Sequence, residues 1–243
     1  MLSIPRIKIC GLTQPSDLEY LAQSGVDTVG INLVATSRRF VDLGRAKELA
    51  ELAKALGLQT AAVLMNPTAR QITDVASLID WDFLQLHGSE EPEIAQHCQG
   101  LPIIKAVSCS GRPGEFDLAK RWLESFDPSP RSEAASLGPR AISTLACLLV
   151  DAYAPVHGGG TGQLARWDLL WPRPPEIDGV PMILAGGLTP DNVCSAIIQT
   201  RCDGVDTASG VESSPGRKCL ALVAGFAQQS QAGFSSTAQN SNQ

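Results

Sequence analysis

Eight short apolar runs rich in β-branched residues recur along the 243-residue chain, separated by longer stretches of helical periodicity. The runs are Arg6 to Cys10, Thr28 to Val34, Thr60 to Met65, Phe83 to His87, Ile103 to Val107, Cys147 to Asp151, Met182 to Ala185 and Gly204 to Thr207. Apolar runs of this length suit strands covered on both faces, and parallel strands need a crossover between them. The segments Ser16 to Ser24, Leu43 to Leu56, Thr68 to Leu78, Glu115 to Glu124 and Asp191 to Thr200 read as those crossover helices. Several open on Pro or on a capping Asp, Thr or Ser. Eight strand-helix units in a chain of this length point to an α/β fold of the single (β/α)8 TIM-barrel type, which takes about 250 residues; a doubly wound open sheet is the alternative.

The barrel is expected over residues 1–227, and two segments break the rhythm. Residues 127–143, DPSPRSEAASLGPRAIS, read as an enlarged surface connection before the sixth strand. Residues 228–243, QQSQAGFSSTAQNSNQ, carry no charge and little apolar content, so a loose tail is expected from them.

Hydrophobic residues make up 44% of the chain and charged residues 18%, enough apolar material for a sizeable core. A net charge of -6 provides no basic footprint for nucleic acid or an anionic membrane, so neither is expected as a partner. The opening MLSIPRIKICGLT lacks an apolar signal core, and no apolar run approaches the roughly 18 residues of a membrane span. Seven cysteines without a CxxC pair fit a reduced, cytoplasmic setting better than a disulfide framework.

In a parallel barrel the loops at the C-terminal strand ends line the open mouth, so polar residues there are candidates for function. Cys10 ends the first run in KICGLT, and Asp151 ends the sixth after the apolar stretch Cys147 to Val150. A buried cysteine is often only a small hydrophobe and a strand-end carboxylate often a cap, so neither residue decides the matter alone. Glycine clusters follow three successive strands: Gly158 to Gly162, including Gly159 and Gly160, then Gly186 and Gly187, then Gly210 after Ser209. Backbone N–H groups freed of side chains at these positions can hold a phosphate. His87 reads as a structural strand-end group or as a support for a site residue. Lys105 could face the mouth or pair internally, and Trp122, Trp167 and Trp171 read as packing residues. Three scattered histidines do not make a metal site.

Taken together, KICGLT (Lys8 to Thr13), SRRF (Ser37 to Phe40), LQLHG (Leu84 to Gly88), LLVDA (Leu148 to Ala152), GGTG (Gly159 to Gly162), AGGL (Ala185 to Leu188) and GVDTASGVE (Gly204 to Glu212) make the chain similar to the phosphoribosylanthranilate isomerase family of tryptophan biosynthesis. The resemblance implies an Amadori rearrangement of N-(5-phosphoribosyl)anthranilate to 1-(2-carboxyphenylamino)-1-deoxyribulose 5-phosphate, without metal or organic cofactor, in a monomer or homodimer. It also implies that Cys10 is the general base, Asp151 the general acid and Arg39 the contact for the anthranilate carboxylate. The phosphate would fall to Gly159, Gly160, Gly186, Gly187, Ser209 and Gly210.

Three positions depart from the family pattern. Arg166 stands where the family has an Asp, Ala208 replaces a serine, and Arg38 replaces a proline. A lyase or synthase on the same scaffold, or a non-catalytic sugar-phosphate binder, are the competing readings. The first would call for strand-end lysines and acids that are not found, and mere binding would need neither Cys10 nor Asp151.

Overall fold

The computed structural model describes residues 4–126, 143–151 and 166–240. Eight parallel strands close into a barrel in chain order: β1 Ile7–Cys10, β2 Thr28–Asn32, β3 Gln59–Leu64, β4 Phe83–Leu86, β5 Ile103–Ser108, β6 Leu145–Asp151, β7 Met182–Leu184 and β8 Gly204–Thr207. Closure runs from β8 to β1, with Lys8 opposite Asp206. The open-sheet alternative is thereby excluded.

Side chains alternate between the two faces of each strand, and this parity sorts the residues into two cores. Ile7 and Ile9 of β1, Val29 and Ile31 of β2, and Leu148 and Val150 of β6 join the large core between barrel and helices. Ala61, Phe83, Ile104, Ala106, Cys147, Leu149 and Ile183 fill the barrel itself. The same parity turns Lys8, Cys10, Asp151 and Asp206 inward. Lys105 shares the parity of Ile103 and Val107 and points outward instead. Its ammonium is buried against Glu90 at 2.7 Å and the carbonyls of Leu86 and Gly88, 6.0 Å from the Trp122 ring centre. Of the two roles open to Lys105, the structure therefore shows the internal ion pair.

The outer layer is made by α1 Leu18–Gln23, α2 Leu43–Ala55, α3 Ala69–Leu78, α4 Asp117–Phe126, α5 Val193–Thr200 and α6 Leu220–Asn240. Capping sets their starts: the Asp42 side chain accepts from Arg45 N–H ahead of α2, and Thr68 and Gln71 form a reciprocal capping box ahead of α3. Between β4 and β5 a short 3-10 segment, Pro92–His97, replaces an α-helix. After β8 the chain makes a hairpin of β9 Glu212–Ser214 and β10 Arg217–Lys218, which periodicity did not reveal. Trp122 is fully buried, whereas Trp171 is 45% exposed beneath the Arg201 guanidinium.

The tail expectation is corrected: α6 runs through residue 240. Val223, Phe226, Ala227, Ser230, Gly233 and Phe234 are buried at three- and four-residue intervals on one face. Much of that face is Ala, Ser and Gly, so a count of apolar residues underrates it. Small residues let α6 come close to α5, and a Cβ on Gly233 would lie 3.1 Å from the Cys194 carbonyl oxygen. Phe234 sits under the Arg6 guanidinium at 3.7 Å. The expected enlarged connection at 127–143 lies outside the described residues except for Ser143, which is buried and accepts from Gly100 N–H at 3.0 Å. Among the described residues no helix is long and apolar enough to cross a membrane.

Candidate functional site

Strand β1 places two groups on one inward-facing row. Lys8 is fully buried and its Nζ lies 2.8 Å from Asp206 Oδ1, a pairing that depends on barrel closure. Cys10 follows two residues later at the mouth. The Lys8 ammonium and the Cys10 thiol converge on Gly30 of β2, where an added Cβ would sit 2.8 Å from each. Only a residue without a side chain lets them share this space.

Burial pushes the Cys10 thiol up from its ordinary range; Lys8 and Lys218 pull it back, Asp206 adds to the rise, and the net direction is upward. Burial also works against the Lys8 charge, but Asp206 and the thiol outweigh it and the ammonium titrates above its usual value. The pocket therefore holds a protonated thiol beside a permanent cation, which offsets part of what burial costs the thiolate. Replacing Gly30 with alanine is expected to displace one of the two groups. Activity should fall more than tenfold, with a stability loss of about 1–3 kcal/mol from overpacking. Steady-state assay and thermal melts check both numbers, and an unchanged turnover would contradict the crowding argument.

Asp151 closes β6 on the other side of the mouth. Its Oδ2 lies 3.3 Å from His87 Nε2, and His87 Nδ1 lies 2.9 Å from Gln85 Nε2. Gln85 and His87 leave β4 on the same parity, so LQLHG delivers both toward Asp151. Of the two readings of His87, this contact favours support of the strand-end carboxylate. Gln85 Oε1 is buried without a protein partner among the described residues.

Arg39 comes from the turn after β2, where Ser37 Oγ accepts from Arg39 N–H at 3.1 Å. Its side chain folds back across Gly11, whose φ of +74° suits glycine and where a Cβ would collide with Arg39 Cδ. The guanidinium is not a solvated surface charge. It makes a two-pronged bond to Glu212, Nε to Oε1 at 2.8 Å and Nη2 to Oε2 at 2.6 Å. Lys218 of β10 reaches the same carboxylate at 2.8 Å and the Cys10 carbonyl at 2.6 Å. Burial and these cations act on Glu212 in opposite senses; the donors prevail and hold its carboxyl below the usual range.

At the end of β7, Gly186 and Gly187 both have positive φ, 82° and 68°. The 3-10 turn Ser209–Val211 follows β8, with Ser209 exposed at its start. Gly210 meets a packing constraint as well, independent of any anion. A Cβ there would fall on the Leu188 carbonyl oxygen, so the fold itself requires glycine, whatever the loop binds. Gly159 and Gly160 lie outside the described residues. Arg166, the departure from the family pattern, is spent locally on a fork to Asp168 at 2.8 and 2.7 Å.

Strand parity puts Cys10 and Asp151 at the mouth and the family resemblance supplies Arg39; neither singled out Asp206, Glu212 or Lys218. Asp206 carried a signal, since a carboxylate in the apolar run GVDT has to find a partner. Glu212 closes the motif GVDTASGVE without announcing a partner, and Lys218 carried no signal, because their contacts depend on where the hairpin folds.

The family model described as N-(5′phosphoribosyl)anthranilate (PRA) isomerase matches residues 7–229. A relative named N-(5′-phosphoribosyl)anthranilate isomerase in Acinetobacter calcoaceticus is 36% identical over 228 residues, covering 94% of this chain and 97% of its own. One of the same name in Myxococcus xanthus is 35% identical over 221 residues, covering 91% and 93%. Among solved structures, phosphoribosyl anthranilate isomerase from Thermotoga maritima superposes with a TM-score of 0.76 at 28% identity, covering 94% of this chain and 99% of its own. A phosphoribosyl anthranilate isomerase in complex with reduced 1-(o-carboxyphenylamino)-1-deoxyribulose 5-phosphate superposes at 0.73 with 27% identity, covering the same shares.

Proposed function

The chain belongs to the N-(5′-phosphoribosyl)anthranilate isomerase family, and from that premise we propose how its residues divide the work of the isomerisation. The reaction is the Amadori rearrangement of N-(5-phosphoribosyl)anthranilate to 1-(2-carboxyphenylamino)-1-deoxyribulose 5-phosphate, a step of tryptophan biosynthesis. It needs an acid at the ribose ring oxygen and a base at C2′.

Asp151 is the acid. Its proton passes to the ring oxygen as the C1′–O bond breaks, and the anilino nitrogen lone pair forms an iminium at C1′. Cys10, as thiolate, then takes the C2′ proton; the electrons of that C–H bond move to C1′–C2′ and neutralise the iminium, giving an enolamine. The enolamine gains a proton at C1′ and loses one from the 2′-hydroxyl to become the ketone, so no atom is gained or lost overall. His87 holds Asp151 in place from the side, and Arg39 accepts the anthranilate carboxylate. Gly186, Gly187, Ser209 and Gly210, with Gly159 and Gly160, take the 5′-phosphate on backbone donors, and Gly210 also shapes the loop. The substrate is a small phosphosugar, and the working form is a monomer or a homodimer.

One observation carries this reading more than any other: a thiol enclosed beside the Lys8 ammonium on the inner face of β1, with a carboxylate on the inner face of β6 at the same end of the barrel. Neither is needed merely to bind an anion. Purified protein should consume phosphoribosylanthranilate in a fluorescence assay, and absence of turnover would overturn the assignment.

The pH dependence follows from the thiol. Only the thiolate can take the C2′ proton, so kcat/KM should rise with pH along a limb governed by Cys10. Lys8 lowers that thiol and Asp206 raises it. Lys8→Met removes the first influence and keeps the second, so the limb should move to higher pH. Breaking a buried pair also costs about 3–5 kcal/mol, which melts would show, but a purely structural role for Lys8 would leave the limb where it was.

A further inference from the structure

We propose that Glu212 and Lys218 are positioning residues that present one chosen edge of the Arg39 guanidinium to the substrate's ring carboxylate; this rests on the reading of Arg39 given above. A guanidinium offers a side edge, Nε with Nη2, and an end edge, Nη1 with Nη2, each able to pair with a carboxylate through two parallel bonds. Glu212 occupies the side edge with both oxygens. The end edge is left, and among the described residues Nη1 has no hydrogen-bond partner.

Glu212 is itself fixed from several directions. Its Oε1 accepts from Lys218 Nζ at 2.8 Å and from Gly216 N–H at 3.2 Å, besides Arg39 Nε, and its side chain is 4% exposed. Lys218 has no freedom to spare either: its three donors go to Glu212, the Cys10 carbonyl and the Ala208 carbonyl. Thr13 Oγ1 donates to the Gly216 carbonyl at 2.6 Å and ties the hairpin turn to the loop after β1. The hairpin thus braces the arginine against the strand end that carries Cys10.

Charge and sterics favour presentation over obstruction. Two cations and one anion leave the cluster with one net positive charge, so a ligand carboxylate still meets attraction. Gly11 lets the arginine lie flat across the chain next to Cys10, which limits its swing. An arginine held on one side loses less conformational freedom when its other edge is taken.

The test compares two probes: reduced 1-(o-carboxyphenylamino)-1-deoxyribulose 5-phosphate and the same compound without the ring carboxylate. The unchanged protein should prefer the first. Glu212→Gln keeps one oxygen but loses the fork, so it should bind the first probe about tenfold or more weakly and the second with unchanged affinity. Its KM should rise while kcat stays within a few fold. Glu212→Asp, one methylene shorter, gives a second reading if the glutamine variant does not fold, and should show the same selective loss.

If the unchanged protein binds both probes equally, the Arg39 reading is overturned and the proposal with it. If it discriminates and Glu212→Gln discriminates just as well, the proposal alone is overturned. Tighter binding of the carboxylate probe by Glu212→Gln would likewise overturn it, by showing that Glu212 competes for the arginine.

Discussion

Cys10→Ser is expected to lower kcat by roughly 10²- to 10⁴-fold, the range typical for loss of a proton-transfer group, while affinity for a reduced product analogue stays nearly intact. The serine hydroxyl fits the space beside Gly30 and Lys8 but is hardly ionised at neutral pH, even with an ammonium at hand. Asp151→Asn should lose as much for the complementary reason: the amide keeps the shape beside His87 and has no acidic proton for the ring oxygen. The two changes should not multiply. Groups that work on one reaction path act as a unit, so the double variant is expected to be little worse than the poorer single one. Near-normal turnover in Cys10→Ser would sink the mechanism, and a fully multiplicative double variant would place the two residues on separate paths.

Removing residues 229–243 is expected to destabilise the barrel substantially. The deletion takes away the buried Ser230 and Phe234 and the contact of Phe234 with Arg6. It also exposes the face of α5 where Ile197 meets Gly233. Phe234→Ala alone should cost about 3–5 kcal/mol, since truncating a buried phenylalanine removes transfer energy and leaves a cavity. For a chain of this size each kcal/mol moves Tm by about 2–4 °C, so the single substitution should lower Tm by roughly 6–20 °C and the deletion by at least as much. A deletion variant melting within about 2 °C of the full chain would show that the last turns of α6 contribute nothing. Activity at low temperature should survive in whatever fraction folds, because α6 carries none of the proposed site residues.

The amino-acid sequence by itself determined the barrel and which strand-end groups face its mouth. Strand parity is a local property: once IKIC and LACLLVD are strands with Ile9 and Leu148 facing outward, Cys10 and Asp151 have to face in, and their positions at the strand ends put them at the mouth. Gly186 and Gly187 were legible for a similar reason, since paired glycines after a strand announce a turn that other residues resist. Tertiary structure decided what lies opposite each of these groups. The Lys8–Asp206 bond joins residues 198 positions apart, and the Arg39–Glu212 fork spans 173. Both exist only because the last strand returns beside the first. Gly210 is legible as glycine in a candidate anion loop, but only the folded backbone supplies the second reason for it, the Leu188 carbonyl packed where a Cβ would be. The C-terminal segment looked loose because its buried face is built from small residues, which gain their burial from the nearness of α5 rather than from their own hydrophobicity. Periodicity reports which side of an element is covered, and it carries no information about the covering partner, whose identity is set when the barrel closes.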